Sequence, residues 1–178
     1  VRQFLIRNPW TTLSDLQQAL GSIPQLPMEL VNNFYETPAS FSRLAKRDGS
    51  YWLCPCCNGI LNWAGDEAIP RCARHSVCGR RYPGYQGMQK LPERFDPLRL
   101  KWGLHRRVCV PGLAELKLFD WLEDLKKQTL GIREVALWPE VDLYDIQITF
   151  QDAASTVWAI DVKDYDSPIQ LANKIRED

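Results

Sequence analysis

Five of the chain's six cysteines lie between Cys54 and Cys78, and no other feature limits the fold as much. The run reads Cys54-Pro55-Cys56-Cys57-Asn58-Gly59, then Arg71-Cys72-Ala73-Arg74-His75-Ser76-Val77-Cys78. No signal-peptide pattern opens the chain, so clustered thiols point to a metal rather than to disulfides, and to a reducing cytoplasm. Cys54 and Cys57 have the C-x-x-C spacing at which a tight turn lets two thiolates reach one tetrahedral ion at about 2.3 Å. Asn58 and Gly59 supply the small turn residues that such a knuckle needs. The second half is less regular, because five residues separate Cys72 from Cys78, with His75 midway. Cys72, His75 and Cys78 can supply two ligands in three combinations. Cys54, Cys57, Cys72 and Cys78 are the expected zinc ligands, with His75 as the alternate; free buried thiols are the competing reading. A closed four-ligand site is structural, which assigns it no catalysis. Cys56 is then a spare thiol and Cys109 a core residue.

The opening Trp52-Leu53-Cys54-Pro55-Cys56-Cys57 resembles a zinc ribbon, although the second pair departs from the common C-x-x-C form. A length of 178 residues allows one ordinary domain or two small ones. The reading along the chain is a helical N-terminal segment at 1–45, a zinc ribbon at 46–90, a basic linker at 91–110 and a second domain at 111–178. In the first segment, Thr12 or Ser14 can cap a helix through Leu16 and Leu20 that Gly21 ends. Pro24 and Pro27 then break the chain, and Leu30, Val31 and Phe34 mark a second helix. This segment reads as a packing appendage, with a small DNA-binding helical unit as the alternative. No run of about 18 apolar residues is present, so no membrane span is expected.

The net charge of zero hides an uneven distribution. From Arg71 to Arg107, ten Lys/Arg face two acids, Glu93 and Asp96; from Val108 onward, seven basic residues face fourteen acidic ones. A basic stretch beside a carboxylate cluster suits a polyanion held near metal, with Arg80, Arg81, Arg106 and Arg107 as candidate phosphate contacts. A solvated surface is the plainer account of the same residues. Tyr82 and Tyr85 lie where they can stack on bases, although packing of a turn explains them as well.

The carboxylates carry the chemistry. Val157-Trp158-Ala159-Ile160-Asp161-Val162-Lys163 reads as a buried strand, on which Asp161 and Lys163 share a face. A carboxylate there can hold a hard divalent cation, and the lysine can position the attacking water and offset phosphate charge. Upstream, Asp145-Ile146-Gln147-Ile148-Thr149-Phe150 alternates, with Asp145, Gln147 and Thr149 on one face. Residues Gln151 to Ser155 make a turn, so the two strands form a hairpin that brings Asp145 near Asp161. Asp142 competes with Asp145 for the role. Pro111 suits the start of a helix over Leu113–Leu125, and Glu115 falls on its apolar stripe with Leu118, Phe119 and Leu122. A carboxylate there is either metal-linked or salt-bridged at the stripe's edge.

The order is a helix with Glu115, a strand at Arg133–Trp138, a strand with Asp145, a strand with Asp161-x-Lys163, then a helix. It resembles the core of the PD-(D/E)xK, or restriction-endonuclease-like, nuclease superfamily. The resemblance implies an α/β (α+β) fold, a mixed sheet flanked by helices. It implies Mg²⁺ or Mn²⁺ bound by Glu115, Asp145 and Asp161, with Lys163 serving the attacking water. The family's final strand has no counterpart here, as expected of a chain truncated at its C-terminal end. The ribbon, followed by Trp-Pro-Glu-x-Asp-x-Tyr-Asp and Trp-Ala-Ile-Asp-Val-Lys-Asp-Tyr, is similar to the restriction-endonuclease component encoded beside prokaryotic PIWI-RE proteins. That similarity implies a role in defence against foreign DNA, with a PIWI-RE protein and a helicase as partners. A homodimer is a further expectation, since many such nucleases cut both strands as dimers. The resulting reading is a Mg²⁺-dependent deoxyribonuclease; the alternative is a non-catalytic nucleic-acid-binding or assembly module that keeps the nuclease fold.

Overall fold

Thr12 caps a helix, Leu13–Ser22: its Oγ1 accepts the Asp15 N–H at 3.2 Å and donates to Asp15 Oδ2 at 2.7 Å, which satisfies one of the donors a helix start leaves open. Gly21 lies inside the last turn of this helix rather than beyond it. The structure, a computed structural model, describes residues 1–22, 32–63, 69–92, 96–163 and 167–177. Pro24, Pro27, Leu30 and Val31 lie outside the described residues. The chain divides into two units, Val1–Val110 and Pro111–Asp178. Together they make a mixed α+β protein with three small antiparallel sheets among the described residues.

In the first unit the strands are β1 (Trp10–Thr11), β2 (Tyr35–Glu36), β3 (Lys46–Arg47), β4 (Ser50–Leu53), β5 (Gln89–Lys90) and β6 (Leu98–Leu100). They form two sheets, ordered β1-β6-β2 and β3-β4-β5. Leu5, Leu16, Tyr35, Leu100 and Cys109 make one buried cluster. Phe41, Ala45, Tyr51, Leu53, Ile60 and Leu91 make a second, beneath the β3-β4-β5 sheet.

The stretch read as a linker carries β6 and a helical run, and it buries Leu91, Leu100, His105 and Cys109. Arg99, one of its basic residues, faces inward. It stands opposite Glu36 across the β2–β6 ladder, and its Nε and Nη2 donate to Glu36 Oε1 at 3.0 and 2.9 Å. Its guanidinium also lies 4.3 Å from the centre of the Phe41 ring. Such a buried charge persists because it is paired and stacked.

Pro111 does not begin the helix of the second unit. That helix runs Val110–Gln128 and follows Trp102–Leu104 and a π-helical turn, His105–Cys109. Proline clashes with the carbonyl four residues back. The Val110 N–H bonds to the His105 carbonyl five residues back, and this wider turn gives the proline room.

Three further strands follow, β7 (Ile132–Leu137), β8 (Ile146–Phe150) and β9 (Val157–Ile160), in the order β7-β8-β9. Every pairing among them is antiparallel, where a mixed sheet was expected. The alternation of β8 decides the packing. Ile146 and Ile148 are buried with Leu122, Ile132 and Val135, and Leu118, Phe119 and Leu125 of the helix close over the same face. β9 departs from the buried strand its apolar run predicts. It is a sheet edge among the described residues, with Val157 50% and Trp158 59% exposed. A final helix, Pro168–Glu177, completes the described chain.

Candidate metal centres

The cysteine site is built from a turn and a helix. After β4 the chain turns back on itself: the Cys54 N–H donates to the Gly59 carbonyl at 2.8 Å, and the Asn58 N–H to the Cys54 carbonyl at 2.9 Å. Asn58 takes the left-handed conformation, φ 56°, which asparagine tolerates better than most residues. Gly59 is required for space, because a Cβ there would lie 1.8 Å from His105 Cε1. Cys72 follows a bridge between Asn62 and Arg71, and Cys78 lies on the helix His75–Arg81.

The Sγ atoms of Cys54, Cys57, Cys72 and Cys78 all lie within 4.8 Å of one another, and all four residues are buried. Cys57 and Cys72 approach to 3.3 Å between sulfurs. Four converging thiols at this spacing suit a tetrahedral zinc ion of the closed, structural kind. Their electrostatics point the same way. Hydrogen bonds from Cys57, then Cys72 and Cys78, pull the Cys54 thiol far down, while the contact with Cys54 pushes Cys57 and Cys78 up. The cluster thus accommodates one thiolate easily and further ones only with a cation.

His75 stands outside this group. It is exposed, and its Nδ1 lies 2.8 Å from the Tyr85 hydroxyl. Tyr85 is only 1% exposed, and its hydroxyl accepts the Cys72 N–H at 2.9 Å. The tyrosine therefore braces the backbone of Cys72 from within rather than standing as a surface stacking group. The spare thiol, Cys56, is half-buried and pushed up to about 11 by burial. Cys109 is fully buried and pushed up to about 12 by the same cause. Arg80, Arg81, Arg106 and Arg107 are exposed on the helix and on the π turn.

In the second unit, the end of the sheet collects Asp145, Asp161 and Lys163. The Asp145 N–H donates to the Ile160 carbonyl at 3.1 Å, which continues the β8–β9 ladder and sets Asp145 beside Asp161. The Asp145 carboxylate accepts the Val162 N–H at 2.6 Å. Lys163 Nζ meets the Asp161 carboxylate. That contact holds the Asp161 carboxyl below the usual carboxylate range. Two carboxylates at adjacent positions of the ladder suit a hard divalent cation between them.

Glu115 is 6% exposed and its Oε2 accepts the Trp138 indole N–H at 2.6 Å. It does not close a three-carboxylate cluster with the aspartates. Among the described residues, no set of three or more His, Cys, Asp or Glu side chains besides the four cysteines has its ligand atoms within 4.8 Å of one another. The Asp142 side chain lies outside the described residues.

Residues 112–178 match the family model described as REase associating with pPIWI_RE. The REase match thus begins one residue inside the second unit and runs to its end. The cysteine site lies outside the REase-matching segment, in the first unit. Glu115, Asp145, Asp161 and Lys163 all lie within it. No curated protein and no solved structure matches the chain. Among the described residues, no helix is long and apolar enough to cross a membrane.

Proposed function

We propose that the second unit is a Mg²⁺- or Mn²⁺-dependent endonuclease with a restriction-endonuclease-like fold that hydrolyses DNA, and that the first unit is a helical segment and zinc ribbon that help to hold the nucleic acid. The observation that carries this is the meeting of Asp145, Asp161 and Lys163 at one end of the β8–β9 hairpin. The REase description of the matching family supports the nuclease class. Its association with pPIWI_RE supports a partner of that kind here; a prokaryotic defence role in the cytoplasm alongside a helicase is part of the same proposal.

Asp145 and Asp161 would hold the divalent cation, with Glu115 as a third carboxylate. When bound, the cation polarises a phosphoryl oxygen and acidifies a water. The Val162 N–H fixes one oxygen of Asp145, so that the carboxylate is oriented before substrate arrives. Lys163 places a positive charge beside the same carboxylates, where it offsets phosphate charge and orients the attacking water. Arg80, Arg81, Arg106 and Arg107 would contact phosphates without reading sequence. Among the described residues Glu115 does not join the two aspartates in one cluster of ligand atoms, which favours a second reading, a binding module that keeps the nuclease fold without its chemistry.

The two separate in one assay. Purified protein and its Lys163→Ala variant are incubated with plasmid and single-stranded DNA in Mg²⁺ or Mn²⁺. Cleavage by the parent, reduced about 100-fold or more in the variant, is the outcome expected of the nuclease. DNA binding without cleavage by either protein is the outcome expected of the module.

A further inference from the structure

Trp138 is in the left-handed conformation, φ 49° and ψ 55°. A bulky residue is held there at a cost on the order of 1–3 kcal/mol, and only where its surroundings over-determine it. Two contacts do so. The indole Nε1 donates to Glu115 Oε2 at 2.6 Å, and the main-chain N–H donates to the Asp145 carbonyl at 2.9 Å. A single residue thus grips the carboxylate of the helix with its side chain and the backbone of the strand carboxylate with its main chain. The nature of the donor matters. An indole gives one hydrogen bond and carries no charge, so it orients the buried Glu115 carboxylate without neutralising it. An arginine or lysine in its place would compete with a metal ion.

We propose that Trp138 is a positioning residue for the divalent-metal site: it aims Glu115 and fixes that carboxylate relative to the Asp145–Asp161 pair. The proposal rests on the metal-dependent reading of the same carboxylates. It goes beyond that reading in giving the site an outer support that bridges helix and sheet.

The test is a double-mutant cycle on the full chain, with Trp138→Phe, Glu115→Gln and both together. Mn²⁺ binding is read by the loss of its free-ion electron-spin signal, and cleavage is read as a function of Mg²⁺ concentration. Trp138→Phe is expected to raise the Mn²⁺ dissociation constant about tenfold, within the range seen when an outer-shell partner of a metal ligand is removed. The Mg²⁺ concentration for half-maximal cleavage should rise in parallel, while the rate at saturating Mg²⁺ changes little. Glu115→Gln should cost at least as much, and the double variant no more than Glu115→Gln alone. A purely structural tryptophan would lower thermal stability and leave metal affinity untouched. Parent-like Mn²⁺ binding by Trp138→Phe, or effects of the two substitutions that multiply in full, overturns the proposal.

If Trp138→Phe does not fold, the indole N–H resonance of Trp138 in the parent decides. It should shift on Mg²⁺ addition and lose that shift in Glu115→Gln; an indole indifferent to both overturns the proposal. A parent that binds Mn²⁺ without cutting DNA defeats the nuclease reading alone, and the binding cycle still judges Trp138. A parent that neither binds Mn²⁺ nor cleaves defeats both.

Discussion

At the scale of single residues, the first pair of the converging cysteines could be read from spacing, while the second pair was narrowed only to Cys72, His75 and Cys78, and their supports could not be read at all. Cys54 and Cys57 declare themselves by C-x-x-C. Tyr85 does not, because its hydroxyl reaches Cys72 only through the folded turn after the helix His75–Arg81. Tyr85→Phe is expected to weaken zinc binding about tenfold or more, measured by competition with a chromophoric chelator. An unchanged affinity would reduce Tyr85 to packing. Trp138 was illegible for a related reason. It precedes Pro139, which restricts its backbone, yet nothing local announces a positive φ. His105 adds a pH dependence. Its ring is fully buried, with neither nitrogen hydrogen-bonded among the described residues, and burial lowers it from 6.5 to about 4. The unfolded chain then binds a proton that the folded chain refuses. The stability due to neutral His105 is complete above pH 6.5 and is lost as pH falls through about 4. The difference amounts to about 3 kcal/mol. Urea unfolding of the parent and of His105→Leu from pH 7 to 4 should show the shallower acid loss in the variant, since any zinc release is common to both.

At the scale of elements, the hairpin was the most legible part of the second unit. Alternation in Asp145–Phe150 separates the two faces, and the turn after Phe150 has a length that suits a hairpin. Ile146 is fully buried in that face, so Ile146→Ala is expected to cost about 2–5 kcal/mol, seen as an earlier urea midpoint with an unchanged slope. Two neighbours differ from their sequence signatures. The run Val157–Lys163 has the composition of a central strand, but a short apolar run does not reveal whether another strand or a helix covers it. Pro111 has the signature of a helix start, and the π turn at His105–Cys109 removes the clash that would have made it one. Hydrophobic period and turn chemistry were visible, while neighbours far along the chain were not.

At the scale of the whole molecule, the basic stretch of the sequence is not one exposed surface. Arg99 belongs by count to the basic stretch, yet it is paired with Glu36 inside the first unit, whereas Arg80 and Arg81 are exposed on one helix. Replacing both of the latter with alanine should weaken DNA binding evenly across sequences. It should also reduce the slope of log affinity against log salt by about two, as measured by fluorescence anisotropy at several salt concentrations. An unchanged slope would place the DNA elsewhere. The outer edge of β9 bears on how the protein behaves in the tube. From Thr156 to Ile160 this strand carries no charge, and Val157 and Trp158 stand open to water beside its backbone. Sheets usually guard such an edge with lysine, proline or a bulge. Among the described residues no strand pairs with this edge, and the charges that flank it in sequence are Asp152 on one side and Asp161 with Lys163 on the other. Asp161 and Lys163, proposed for catalysis, thus also supply charge beside an apolar edge, and an inactive control that neutralises them is expected to be less soluble than the parent.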